Sequence, residues 1–235
     1  MQVRVGSVLG GVVRVMVLTA VLGGCAQSAD GDEDESRPSA STPGVSKGAG
    51  AEGKGAVSGG SIGAAGSPCE LPVSFDIAEG WKAKGIDAEA ELSKTAGGSD
   101  GGAPGELAES FLRQGPVTTA CEIDAKPAGH LGFLRVWTGK PGAGDARAVL
   151  REFVAAEDDV SEERYRAVEL GGGLSGVEVR YLYTSKLLDE TKKETAFAVS
   201  TPQGPVVVHL GGLDTEEHEA MLPAYELAKR TLRAA

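Results

Sequence analysis

The chain has 235 residues, with 23 lysines and arginines against 34 aspartates and glutamates, a formal charge of −11. That balance, with no basic stripe anywhere, excludes a surface that tracks nucleic-acid phosphates. An acidic body is also repelled by anionic lipid headgroups, so residence at a membrane requires a covalent or hydrophobic anchor.

Residues 1–14 carry Arg4 and Arg14 and no acid, and the apolar run Val15–Leu22 follows. That run is too short to span a bilayer as a helix. Small residues come next, Gly23 and Gly24, and then Cys25. The segment Leu22-Gly23-Gly24-Cys25 resembles the lipobox of bacterial lipoproteins. The resemblance implies a signal peptide over 1–24, a diacylglycerol on the Cys25 thiol, and a cut between Gly24 and Cys25. A peptidase gripping extended backbone beside a lipidated thioether needs small residues just before the cysteine. Two acyl chains hold a protein stably where one does so only marginally, so the expected location is the outer face of the cell membrane. The alternatives are an ordinary secretory signal that ends near Cys25 and a short uncleaved anchor. Arg4 and Arg14 are not adjacent, so a twin-arginine route is not indicated.

From Ala26 to Ser67 the composition is glycine, alanine, serine, proline and charge, opening on the acidic cluster Asp30–Glu35. Such a stretch buries too little apolar surface to offset its ordering entropy, and residues 25–67 read as a flexible stalk. Two motif matches inside it fail on context. Gly48-Ala49-Gly50-Ala51-Glu52-Gly53 fits a dinucleotide-binding pattern, yet no strand precedes it and no helix follows. The acidic cluster alternates like a calcium loop, but lacks the turn glycine and the closing glutamate.

Assigning Cys25 to lipid leaves Cys69 and Cys121, and in an oxidising compartment two such thiols pair. Closing a loop of about 53 residues stabilises a fold by roughly 4 kcal/mol in a chain-entropy account. No CxxC is present and neither cysteine has a histidine close in sequence, so a catalytic or metal-binding thiol is disfavoured.

Residues 68–235 read as one globular domain. Leu71–Ile77 reads as a first strand running to Gly80-Trp81. After a glycine-rich loop at 96–105, Leu107, Ala108, Phe111 and Leu112 recur at helical spacing, stopped by Gly115-Pro116. Val117–Asp124 and Leu131–Trp137 read as strands joined by a turn at Lys126-Pro127-Ala128-Gly129. The clearest helix covers 146–158, capped by Asp145, with Ala146, Val149, Leu150, Phe153 and Val154 on one stripe. Strands follow at Tyr165–Leu170, at Val177, Val179, Tyr181 and Tyr183 in alternation, at Thr195–Ser200 and at Val206–Val208. Gly171-Gly172-Gly173 is a turn or bulge. A last helix starts near Thr215 with the capping pair Asp214 and Glu217, and Pro223 should kink or reset it.

Strands, a helix, more strands and a final helix predict an α+β domain, an antiparallel β-sheet with helices packed on a face. The order of Gly80-Trp81 after the first strand, the helix at 146–158, the strands of Tyr181 and Phe197, Val206–Val208 and a last amphipathic helix resembles the PsbP-like fold of actinobacterial lipoproteins of the LpqN/LpqT type. The resemblance covers most of 69–235. It implies a binding or accessory module and carries no functional residues over.

No catalytic constellation emerges, and no cofactor is expected. His130, His209 and His218 fall in different elements, and His218-Glu219 lacks the second histidine that a zinc helix needs, so isolated histidines are favoured over a metal set. Ser175 lacks one glycine of a nucleophile elbow and reads as a turn serine. Asp158-Asp159 and Glu162-Glu163 read as solvated charge in a helix-to-strand connection. Trp137, Tyr181 and Phe197 are candidates for lining a ligand groove, with core packing as the plainer alternative. The expected function is that of a membrane-anchored extracytoplasmic lipoprotein with a non-catalytic binding or accessory domain, its partner a protein or another envelope component. The alternatives are a carrier of a small apolar ligand or lipid, and an unrecognised envelope hydrolase.

Overall fold

The computed structural model describes residues 55–88, 90, 91, 93, 109 and 111–235. Cys25, the signal, the stalk up to residue 54 with both of its motif matches, the loop at 96–105 and half of the helix read at 107–112 lie outside the described residues.

A long antiparallel sheet organises the molecule, and it is built from two meanders. The first comprises β3 (Lys82–Gly85), β4 (Arg113–Gln114), β5 (Val117–Asp124) and β6 (Gly132–Gly139). Helix α1 (Ala146–Ala155) then crosses one face to the far edge, where β7 (Val160–Glu169), β8 (Ser175–Ser185), β9 (Glu190–Thr201) and β10 (Gly204–Gly212) return. The spatial order is β3-β5-β6-β10-β9-β8-β7, with β4 also on β5. Strand β10 therefore lies in the centre, between β6 and β9, and all nine of its residues are buried. That explains why its apolar run is continuous rather than alternating.

The remaining elements close the opposite face. Helix α2 (Thr215–Thr231) lies there with a small sheet of β1 (Ser58–Ile62), β2 (Val73–Ala78) and β11 (Arg233–Ala234). Their core joins Phe75, Leu134, Val136, Phe197, Val208, Leu210 and Tyr225. The α1 face has a second core, in which Val149, Leu150, Phe153 and Val154 meet Trp137, Val179, Tyr181 and Val207. Burying each such side chain contributes about 1.5–3 kcal/mol. Cys69 and Cys121 form a disulfide, with Cα atoms 5.8 Å apart, that joins the chain just before β2 to β5.

Local signals explain most boundaries. Asp145 Oδ1 accepts from the Ala148 amide at 2.8 Å, and Asp214 Oδ1 accepts from the Glu217 amide at 2.8 Å, so both helices start at a side-chain cap. Gly129 takes φ 90° to close the turn before β6.

Four expectations need correction. The stretch read as stalk to Ser67 already contains β1, whose Ile62 is buried and whose backbone pairs with β2. Helix α1 ends at Ala155 rather than at Asp158. Strand β7 starts at Val160, five residues before the reading, because a register shift at Ser161/Arg164, with Glu162 at φ 53°, lets a charged segment join the edge. Helix α2 runs unbroken through Pro223.

Candidate functional site

On the α1 face, residues 192, 194, 196 and 198 of β9 point the same way, as do 207 and 209 of β10 and 179, 181 and 183 of β8. The apolar members of this set lie under α1. Beyond the C-terminal end of α1 the same face turns polar and aromatic, with His209, Glu194, Lys192, Tyr183 and, from β6, Phe133 and Arg135. Gly211 makes this packing possible: a Cβ there would fall 2.8 Å from the Phe133 ring.

The buried centre is His209. Its Nε2 pairs with Glu194 Oε2 and lies 3.3 Å from the Tyr181 hydroxyl. That hydroxyl donates to Glu157 Oε1 at 3.0 Å, and Gln114 Nε2 donates to the same oxygen at 2.6 Å. Lys192 Nζ holds the other Glu194 oxygen, Oε1, at 2.8 Å and donates to the Gly212 carbonyl at 2.7 Å. The rings of Phe153, Phe133 and Tyr181 surround the imidazole at centroid distances of 5.7, 6.4 and 6.5 Å. Burial pushes the Glu194 carboxyl up, but His209 and Lys192 outweigh it and bring it to about 2. Burial pushes the His209 imidazole down, and Glu194 more than reverses that. Glu157 is raised, chiefly by burial. The arrangement can hold charge away from water, and it places three metal-ligating groups together.

An open trough of about 470 Å³ adjoins this cluster. Phe133, Tyr183 and Lys192 line it, and Leu131, Leu188 and Leu213 stand around it at 49%, 61% and 50% exposure. These are three of the six large apolar side chains exposed among the described residues, so exposed apolar surface concentrates here. Lys192 and Phe133 belong to both the trough and the cluster.

The side chains expected to line a groove do not converge. Trp137 and Tyr181 are buried under α1, whereas Phe197 is buried on the opposite face against Tyr225. Strand alternation separates them: Phe197 and Ala198 are neighbours in sequence and face opposite layers. The histidines are also apart. His218 faces Thr195 across the α2 side at 3.1 Å, and His130 Nδ1 lies 3.4 Å from Glu217 Oε2. Ser175 faces Glu169 at 3.4 Å and has no histidine beside it among the described residues.

Sequence reading missed Glu157, Glu194 and Lys192. One signal was available. Lys192 and Glu194 continue the alternation of Ala196 and Ala198, which puts two charges on a buried face. Glu157 gave no such sign, because it follows a helix end within a run of acids.

A family described as uncharacterised lipoproteins matches residues 39–232. Among solved structures, the chain is similar to the solution structure of cyanobacterial PsbP (CyanoP) from Synechocystis sp. PCC 6803, at 11% identity and a TM-score of 0.47, over 82% of this chain and 100% of that chain. No curated protein matches it.

Proposed function

The chain belongs to this family of uncharacterised lipoproteins, and from that premise we propose that it is a membrane-anchored, extracytoplasmic accessory protein, held by lipid on Cys25, whose domain binds an envelope protein through the Leu131–Leu188–Leu213 trough. The observation that carries the reading is the trough itself: an aromatic floor ringed by half-exposed leucines, which gathers three of the six large apolar side chains exposed among the described residues. A small apolar ligand favours a cavity that covers most of its surface. This depression is open along its length, and the aromatics that could have lined an interior pocket are packed in two cores instead. An apolar side-chain cluster on a partner fits such a surface better, with Lys126, Asp124 and Glu190 as a charged rim. No helix among the described residues is long and apolar enough to cross a membrane. Anchoring is assigned to Cys25 on the lipobox resemblance of Leu22-Gly23-Gly24-Cys25.

Photocrosslinking tests the reading. A benzophenone side chain at Leu188 or Leu213 of the full chain in intact cells should give one discrete protein adduct, absent from a control position at exposed Glu163 and lost in Cys25→Ala. With the captured protein purified, Leu188→Asp and Leu213→Asp should each weaken binding by at least about tenfold, the size expected of an interface anchor. Adducts equal to the control, binding indifferent to both aspartates, or a trough that copurifies with lipid would overturn it. Mass spectrometry should find the mature N-terminus at a diacylated Cys25; a free Ala26 would contradict the anchor.

A further inference from the structure

We propose that Glu157, Glu194 and His209 form a binding site for one divalent transition-metal ion of the zinc class. One ligand atom from each of the three lies within 4.8 Å of the others. A four-coordinate ion with ligand bonds of about 2.0–2.2 Å sets such atoms about 3.4 Å from one another, so the paired His209 and Glu194 atoms must part to admit it while Glu157 keeps within reach. Two carboxylates and an imidazole are the nitrogen and oxygen donors such an ion takes in open, three-ligand sites. The Tyr181 hydroxyl already touches both Glu157 and His209, which places it beside the fourth position.

The surroundings support ligation in two further ways. The ligands come from three separate pieces of chain, the segment after α1, β9 and β10, so the fold and not local sequence assembles them. Their orientation is also fixed from outside: Lys192 holds Glu194 by Oε1 and leaves Oε2 facing the cluster, while Gln114 holds Glu157. Outer partners of this kind normally orient metal ligands. His209 and Glu194 are buried, while Glu157 is only partly so, which makes Glu157 the side from which an ion enters.

Zinc and cobalt added to the chelator-stripped full chain test the assignment. One equivalent of zinc should raise the melting temperature, and cobalt should give the visible d–d bands of a four-coordinate ion. Glu157→Gln keeps an oxygen that can accept from Tyr181 and Gln114, so it should fold while weakening zinc binding by at least about tenfold, the low end of what even an outer partner contributes. His209→Gln should abolish the cobalt bands. Absence of both signals in the unaltered chain would overturn the proposal. So would unchanged zinc affinity in Glu157→Gln, which would place the ion elsewhere, for example beside His130 and Glu217.

Discussion

Glu178 and Glu194 stand on neighbouring strands and face opposite layers, and each is buried only because cations reach it. Around Glu178 these are Lys229 at 2.5 Å, Arg166, and Arg180 at 3.4 Å, with the Tyr225 hydroxyl donating at 3.3 Å. Burial pushes this carboxyl up, yet Lys229 and Arg166 outweigh it and hold it below the usual carboxylate range. Breaking a buried pair leaves a charge without compensation and costs about 3–5 kcal/mol, whereas replacing both partners by apolar groups is often neutral. Lys229→Ala should therefore lower the unfolding free energy by about 3 kcal/mol in urea, the low end because Arg166 remains. Glu178→Leu combined with Lys229→Met should recover most of that loss. Equal losses in the single and double variants would show that the site tolerates an unpaired carboxylate. None of this pairing was legible in the sequence. Glu178 and Lys229 are 51 residues apart, and each looks like an ordinary exposed charge on a strand or helix. In the Glu157–Glu194–His209 cluster the β9 alternation pointed to Glu194 alone, and its partners were hidden for the same reason.

At the scale of elements the sequence served better, and its errors share a cause. Strand β5 runs over Val117–Asp124 as read, because alternation and a Pro-Gly turn act locally. Strand β1 escaped because Ser58-Gly59-Gly60-Ser61 has the composition of a linker; its order comes from pairing with β2 and from burial of Ile62. Pro223 did not reset α2 for a comparable reason. It is exposed, while Met221, Ala224 and Tyr225 on the same turns are buried in the core, so tertiary packing overrides the lost backbone hydrogen bond. The reading of β1 has a direct check. A chain beginning at Pro68, the boundary that composition suggests, loses Ile62, the β1–β2 ladder and the bonds from the Gly63 amide to the Cys69 carbonyl and from the Leu71 amide to the Gly63 carbonyl. One buried isoleucine and several hydrogen bonds amount to about 3 kcal/mol. Urea unfolding should show that loss for the chain beginning at Pro68 and none for one beginning at Gly55. Equal midpoints would demote β1 to an ornament of the stalk.

The whole molecule depends on how two layers of unequal cover meet one sheet. The α2 face is closed along the sheet by a helix and a second, three-stranded sheet, whereas α1 covers the other face only in part and leaves the trough and the His209 cluster at its end. Cover on the closed side relies on non-local contacts, because the small sheet joins the two ends of the described domain: β1 and β2 near its start and β11 at its close. Chain segments so far apart carry a large closure entropy. The Cys69–Cys121 bond offsets part of it by tying the small sheet's connection to β5 across a separation of 52 residues, a constraint worth roughly 4 kcal/mol in the unfolded chain. Both cysteines are buried in the core of the closed face, so the bond also fixes how that sheet sits on the large one. Reduction, or Cys69→Ala with Cys121→Ala, should therefore lower the unfolding free energy by about 4 kcal/mol, and hydrogen exchange should rise first in β1, β2 and β11 rather than in β10. Exchange rising first under α1 would mean that the partly covered face, not the closed one, is where the molecule opens.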